Sequence, residues 1–131
     1  MHQELAYIAL VVKDYDEAIS FYTKKLLFTL VEDTTLSDSK RWVLIRPPGS
    51  KGCCLLLAKA ANESQINSVG NQTGGRVFLF LHTDDIRRDN KRMLENGIIF
   101  TREPAKESWG TVAIFLDLYG NQWDLIETNK P

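Results

Sequence analysis

Apolar and polar positions along this 131-residue chain fall into two runs of the same design. Tyr7-Ile8-Ala9-Leu10-Val11-Val12 is a short apolar stretch rich in β-formers and predicts a strand. Beyond it, Tyr15, Ala18, Ile19, Tyr22 and Leu26 recur at helical spacing. Asp14 is a good N-cap for that helix, and Asp16 and Glu17 lie in its first turn, where the helix dipole favours anions. Residues 28–34, 41–46 and 53–58 predict three further strands, the last two separated by the turn Pro47-Pro48-Gly49-Ser50-Lys51-Gly52. The order then restarts. Residues 76–82 predict a strand, Asp84 and Asp85 offer caps, and Ile86, Met93 and Leu94 form the stripe of a second helix that Gly97 ends. Residues 98–102 predict a strand, 104–110 a loop, and 112–116 and 122–127 two final strands.

Each run therefore reads β-α-β-β-β, which makes the fold class α+β. The runs overlay at an offset of 70 or 71 residues, with Val12-Lys13-Asp14 on Thr83-Asp84-Asp85 and Leu26-Leu27-Phe28-Thr29 on Asn96-Gly97-Ile98-Ile99. An internal repeat within a single domain, residues 1–131, is the economical reading. Module one spans about residues 5–59, a connector 60–75 and module two about 76–128. The connector is polar, with Ile66 and Val69 its only large apolar residues, and fits a short helix or a functional loop. Two copies that each bury one sheet face would leave a concave surface between them, where a ligand would go.

The closing stretch carries the candidate chemistry. Asp117-Leu118-Tyr119-Gly120-Asn121 is a turn, with Gly120 and Asn121 the types that most easily take positive φ. Strand alternation then puts Gln122, Asp124 and Ile126 on one face and Trp123, Leu125 and Glu127 on the other. A carboxylate flanked by Trp123, Leu125 and Ile126 is costly to bury alone, so Asp124 needs water or a partner such as Tyr7. His82 shares a face with Phe80 and Phe78 by the same alternation, and is either a general base or a solvated strand end.

Composition narrows the function classes. The net charge of −1 with mixed signs argues against nucleic acid or a membrane surface as partner. No apolar run approaches the length of a spanning helix, and Met1-His2-Gln3-Glu4 lacks the basic start of a signal peptide. Cys53 and Cys54 are adjacent, so they point to opposite strand faces, and they show no zinc spacing. A cytoplasmic location is the expectation.

Ile8 to Ala18, followed by Phe21-Tyr22 and Leu26-Leu27-Phe28, resembles the opening signature of the vicinal oxygen chelate superfamily. This group includes glyoxalase I, bleomycin-resistance and fosfomycin-resistance proteins and extradiol dioxygenases. Asp117 to Glu127 is similar to its closing signature. The resemblance implies paired β-α-β-β-β modules forming a cupped mixed sheet, a homodimer, and in the family's metal enzymes four His or Glu ligands. Carried over, the ligand positions fall on Tyr7, Leu56 (with Cys54 on the same face), Phe78 and Asp124. Leu and Phe offer no lone pairs and Tyr is a weak ligand at neutral pH, so neither a divalent metal nor another cofactor is expected. Leu27 also departs from the glycine the family often places there.

Two functions follow from the resemblance. One is binding of a small, partly apolar organic molecule, as the bleomycin-resistance branch does. The other is a glyoxalase-like lyase or dioxygenase with a non-standard metal site or none, and Asp124 and His82 as catalytic candidates. For either, the expected ligand-binding residues are Tyr7, Cys54 and Leu56 from module one, and Phe78, Phe80, Gln122 and Asp124 from module two. Trp109, in the loop before a strand, could cover the mouth.

Overall fold

The structure is a computed structural model and describes residues 1–129. It divides after Val69 into two units. Among the described residues, no helix is long and apolar enough to cross a membrane.

The first unit contains β1 (Tyr7–Val12), α1 (Tyr15–Ser20), a π-helical turn at Phe21–Lys25, β2 (Thr29–Thr35), β3 (Arg41–Arg46), β4 (Cys54–Lys59) and α2 (Glu63–Ser68). Its sheet has the order β1-β4-β3-β2, with β1 and β4 parallel and the other pairs antiparallel. The Asp14 carboxylate accepts the Glu17 N–H at 2.8 Å and starts α1 as the sequence predicts. α1 lies against β3 and β4, and Leu10, Val12, Val43, Ile45, Leu55 and Leu57 are buried with Ala18 and Tyr22. The helix stops at Leu27, which takes φ +59°. The Phe28 N–H then closes on the Tyr22 carbonyl at 2.9 Å, and their rings pack with centroids 5.4 Å apart. Part of the polar connector is α2, capped by the Asn62 side chain accepting from the Gln65 N–H.

The second unit repeats the plan: β5 (Leu79–His82), α3 (Ile86–Glu95), β6 (Phe100–Glu107), β7 (Gly110–Leu116) and β8 (Gln122–Thr128), in the order β5-β8-β7-β6. Asp85 is the cap of α3, while Asp84 instead pairs with Arg88 at 2.6 Å. The Glu127 carboxylate accepts the Ile86 N–H at 2.8 Å and ties the start of the helix to β8. Ile86 and Met93 are buried, but Leu94 is exposed and does not belong to the stripe.

Two boundaries differ from the sequence reading. β5 begins at Leu79, not at residue 76: the Phe78 N–H still reaches the Gln122 carbonyl at 2.7 Å, but the regular ladder to β8 starts only at Leu79. The expected loop at 104–110 is mostly strand, and only Ser108 and Trp109 turn. Pro104 is accommodated because the β6–β7 register shifts between Arg102 and Ala105, so its missing N–H interrupts no regular pairing.

The 117–121 turn is held from within. Asp117 is buried and accepts the Tyr119 and Asn121 N–H groups, the Asn121 amide and the Trp123 indole N–H. Gly120 has φ +97°, whereas Asn121 keeps negative φ and is buried as part of this network. Gly70 approaches the turn so closely that a Cβ would lie 2.0 Å from the Tyr119 carbonyl oxygen.

Candidate functional site

Each sheet has one face under its helix; the opposite, open face mixes buried residues (Leu44, Cys54, Val112, Ile126) with exposed ones (Tyr7, Phe80). Residues paired across a ladder point to the same side, so the registers define rows on the open faces. In the second sheet, Phe80 pairs with Asp124, Asp124 with Ile114, and Ile114 with Arg102. The next row is His82, Ile126, Val112 and Ala105. Leu116 and Gln122 continue the face on the other side. It is a surface with Ile114, Ile126, Val112 and the Asp124 carboxylate at its centre, and His82, Arg102 and Gln122 around them.

Asp124 is half-buried, and among the described residues no donor hydrogen-bonds its carboxylate. Burial pushes its pKa above the ordinary carboxylate value, and the Arg102 guanidinium only partly opposes that. Arg102 is itself held by Glu107 at 2.6 Å. Among the described residues Asp124 thus has no bonded partner, and Arg102 eases its burial only through space.

In the first sheet the equivalent row is Ala9, Leu56, Leu44 and Glu32. Leu56 thus holds the place in its sheet that Asp124 holds in the other. Tyr7 pairs with Cys54 in the neighbouring row, so these two share the open face with Leu56. Cys54 is buried and Tyr7 half-exposed. The Tyr7 ring reaches across the sheet to Trp42, with centroids 5.7 Å apart and planes at 86°.

Other predicted residues are placed differently. Phe80 is 64 % exposed on the face of Asp124, and His82 is exposed one row away. Phe78 lies just outside β5, and its ring meets the edge of Trp123 on the helix side. Alternation therefore does not extend from Phe80 back to Phe78. Gln122 is on the open face, with its amide donating to the Gly75 carbonyl at 3.2 Å. Trp109 stands at the tip of the β6–β7 turn, five residues or about 17 Å of extended chain from Ile114 in the Asp124 row. It is not brought to that row. Three open-face residues escaped the sequence reading: Trp42, Arg46 and Arg102. For the first two the signal was present, since alternation along 41–46 separates Trp42, Leu44 and Arg46 from Val43 and Ile45.

The donor set does not fit a divalent cation. The positions that correspond to metal ligands offer a phenol, a leucine, a phenylalanine and one carboxylate, with a thiol beside the leucine. Among the described residues no three His, Cys, Asp or Glu side chains gather as ligands.

The sequence pattern described as the Glyoxalase/Bleomycin resistance protein/Dioxygenase superfamily matches residues 4–125. An uncharacterised protein of Shewanella frigidimarina (strain NCIMB 400) is 57 % identical over 130 residues, covering 98 % of this chain and 96 % of that one. The crystal structure of UcmS2 superimposes with a TM-score of 0.84 at 28 % identity, covering 96 % of this chain and 98 % of the other. That of TnmS3, an antibiotic binding protein from Streptomyces sp. CB03234, gives 0.77 at 25 % identity and covers 98 % of both chains.

Proposed function

This chain belongs to the Glyoxalase/Bleomycin resistance protein/Dioxygenase superfamily, and within it we propose a binding protein for a small, partly apolar organic molecule that it holds without a metal ion. The observation that carries this reading is Asp124: a half-buried carboxylate with no hydrogen-bond donor among the described residues, set between Phe80 and Ile114 on the open face. Such a group is unfavourable in the free protein and becomes favourable when a ligand supplies a donor. Phe80 beside it offers aromatic area. The similarity to TnmS3 supports binding rather than turnover, as does the lack of a fitting metal-ligand set.

Thermal-shift screening should find stabilising organic compounds, and calorimetry then measures them on Phe80→Ala and Asp124→Asn. For a cationic or hydroxyl-bearing ligand, Asp124→Asn should cost more than about tenfold in affinity, the equivalent of a charge-assisted hydrogen bond of about 1.5–3 kcal/mol. Phe80→Ala should weaken apolar and polar ligands alike. Affinities unchanged in both folded variants would place the site elsewhere. One metal ion per chain by elemental analysis, lost in Asp124→Ala, would turn the reading to a metal-dependent lyase or dioxygenase.

A further inference from the structure

Arg46 is a cation of the first sheet that takes no part in the site around Asp124. β3 carries two arginines, Arg41 and Arg46, which alternation sends to opposite faces. On the helix side Arg41 is satisfied twice over, by Asp16 at 2.9 Å and Asp33 at 2.6 Å. On the open side Arg46 is half-buried, and among the described residues it has no carboxylate or hydrogen-bond partner. Glu32 is the acidic residue on that face, one row away, and its carboxylate accepts the Thr34 hydroxyl at 2.9 Å.

Arg46 sits beside Thr29, with which it pairs, and Cys54, which one further step of the β3–β4 register sets opposite it. Leu44 is one row away, and Tyr7, the partner of Cys54, lies two strands across the same row. Leu44 and Cys54 are buried, and the edge-to-face Tyr7–Trp42 pair leaves an aromatic surface above small and aliphatic side chains. A guanidinium in such a setting is weakly hydrated, rigid and planar, and matches the two oxygens of a carboxylate with parallel donors.

We propose that the open face of the first sheet selects planar aromatic molecules that carry an oxyanion, with Arg46 taking the anion and Tyr7 and Trp42 the ring. The proposal rests on the small-molecule reading but not on Asp124. Arg46 is a specificity-determining residue in this scheme, and a neutral analogue of the same shape loses its contribution.

Calorimetry with three probes of one shape separates the two claims: naphthoate, naphthamide and naphthylmethylammonium, each on wild type, Arg46→Gln, Arg46→Lys and Asp124→Asn. Wild type should bind naphthoate about tenfold or more tightly than naphthamide. Arg46→Gln should bring that ratio close to one. Arg46→Lys keeps the charge but not the fork, so it should retain only part of the preference. Asp124→Asn should leave the ratio in place while weakening naphthylmethylammonium. No naphthoate binding at millimolar concentration, no preference over naphthamide, or a preference that survives Arg46→Gln would each overturn the proposal. Should only the cationic probe depend on its residue, the Asp124 reading stands and this one falls. Melting curves for each variant establish that the comparison is between folded proteins, and Arg46→Lys serves if Arg46→Gln does not fold.

Discussion

Asp124 makes the chain sensitive to pH in a direction that can be worked out. Its pKa is raised in the folded state by burial, against a smaller opposing pull from Arg102. The folded chain therefore holds this proton more tightly than the unfolded chain does. The resulting contribution to stability is fully present below the ordinary carboxylate value of about 4, and is lost as pH rises through the higher folded value. Asp124→Asn is neutral throughout. It should melt above wild type at neutral pH, and that advantage should shrink as the pH falls through the raised folded value and be gone below about 4. Paired melting curves check this, and an advantage of equal size at both pH values would contradict it. The face of Asp124 was legible in the sequence because strand alternation is local. Its neighbour Arg102 was not, since the register between β6 and β7 shifts twice between Phe100 and Ala105. For Trp42 and Arg46 alternation gave the shared face but not which face is the core. Both faces of β3 are apolar enough to be the core, and only the packing of α1 decides which one stays open.

Among the elements, the end of the first helix is the place where the two copies of the repeat disagree. Leu27 has φ +59° where Gly97, 70 residues on, has φ +84°, and the same closing bond follows in each: Phe28 to Tyr22, and Ile98 to Met93. The departure from glycine at Leu27 puts this helix end in doubt, yet the chain turns there all the same, with a leucine in a conformation that costs an L-residue about 1–2 kcal/mol. Leu27 is 42 % exposed, so little packing is lost by removing it. Leu27→Gly should stabilise the protein by about 1 kcal/mol, a balance of relieved strain against the extra freedom of glycine in the unfolded chain. Denaturant titration measures it, and a lowered midpoint at unchanged slope would mean that the leucine's contacts outweigh the strain. β1 was legible to the residue from its run of β-formers, Tyr7 to Val12, which Lys13 and Asp14 end. The extension of β6 past Pro104 was not, since proline ordinarily marks a strand's end and only the bulge admits it.

At the scale of the whole molecule, the repeat proposed from a weak overlay is written into the ladders. Both sheets place their first and last strands side by side in parallel, and both outermost ladders shift register at equivalent points, Leu30/Glu32 and Phe100/Arg102. The repeat also doubles a liability. Each copy covers one sheet face with a helix and leaves large apolar side chains exposed on the other, with Tyr7 at 50 % and Phe80 at 64 %. Ile66 and Ile99 add exposed apolar area elsewhere. Such surface is more than scattered single residues, and symmetric pairing of two chains is the commonest way to cover it. A net charge of −1 offers little repulsion against self-association. Light scattering at micromolar concentration should therefore give about twice the chain mass of 14.9 kDa. Charged substitution at an interface residue should halve that value without unfolding the chain, since each unit carries its own core. A mass of one chain at every concentration would rule out the dimer, and the exposed apolar faces would then be ligand surface alone.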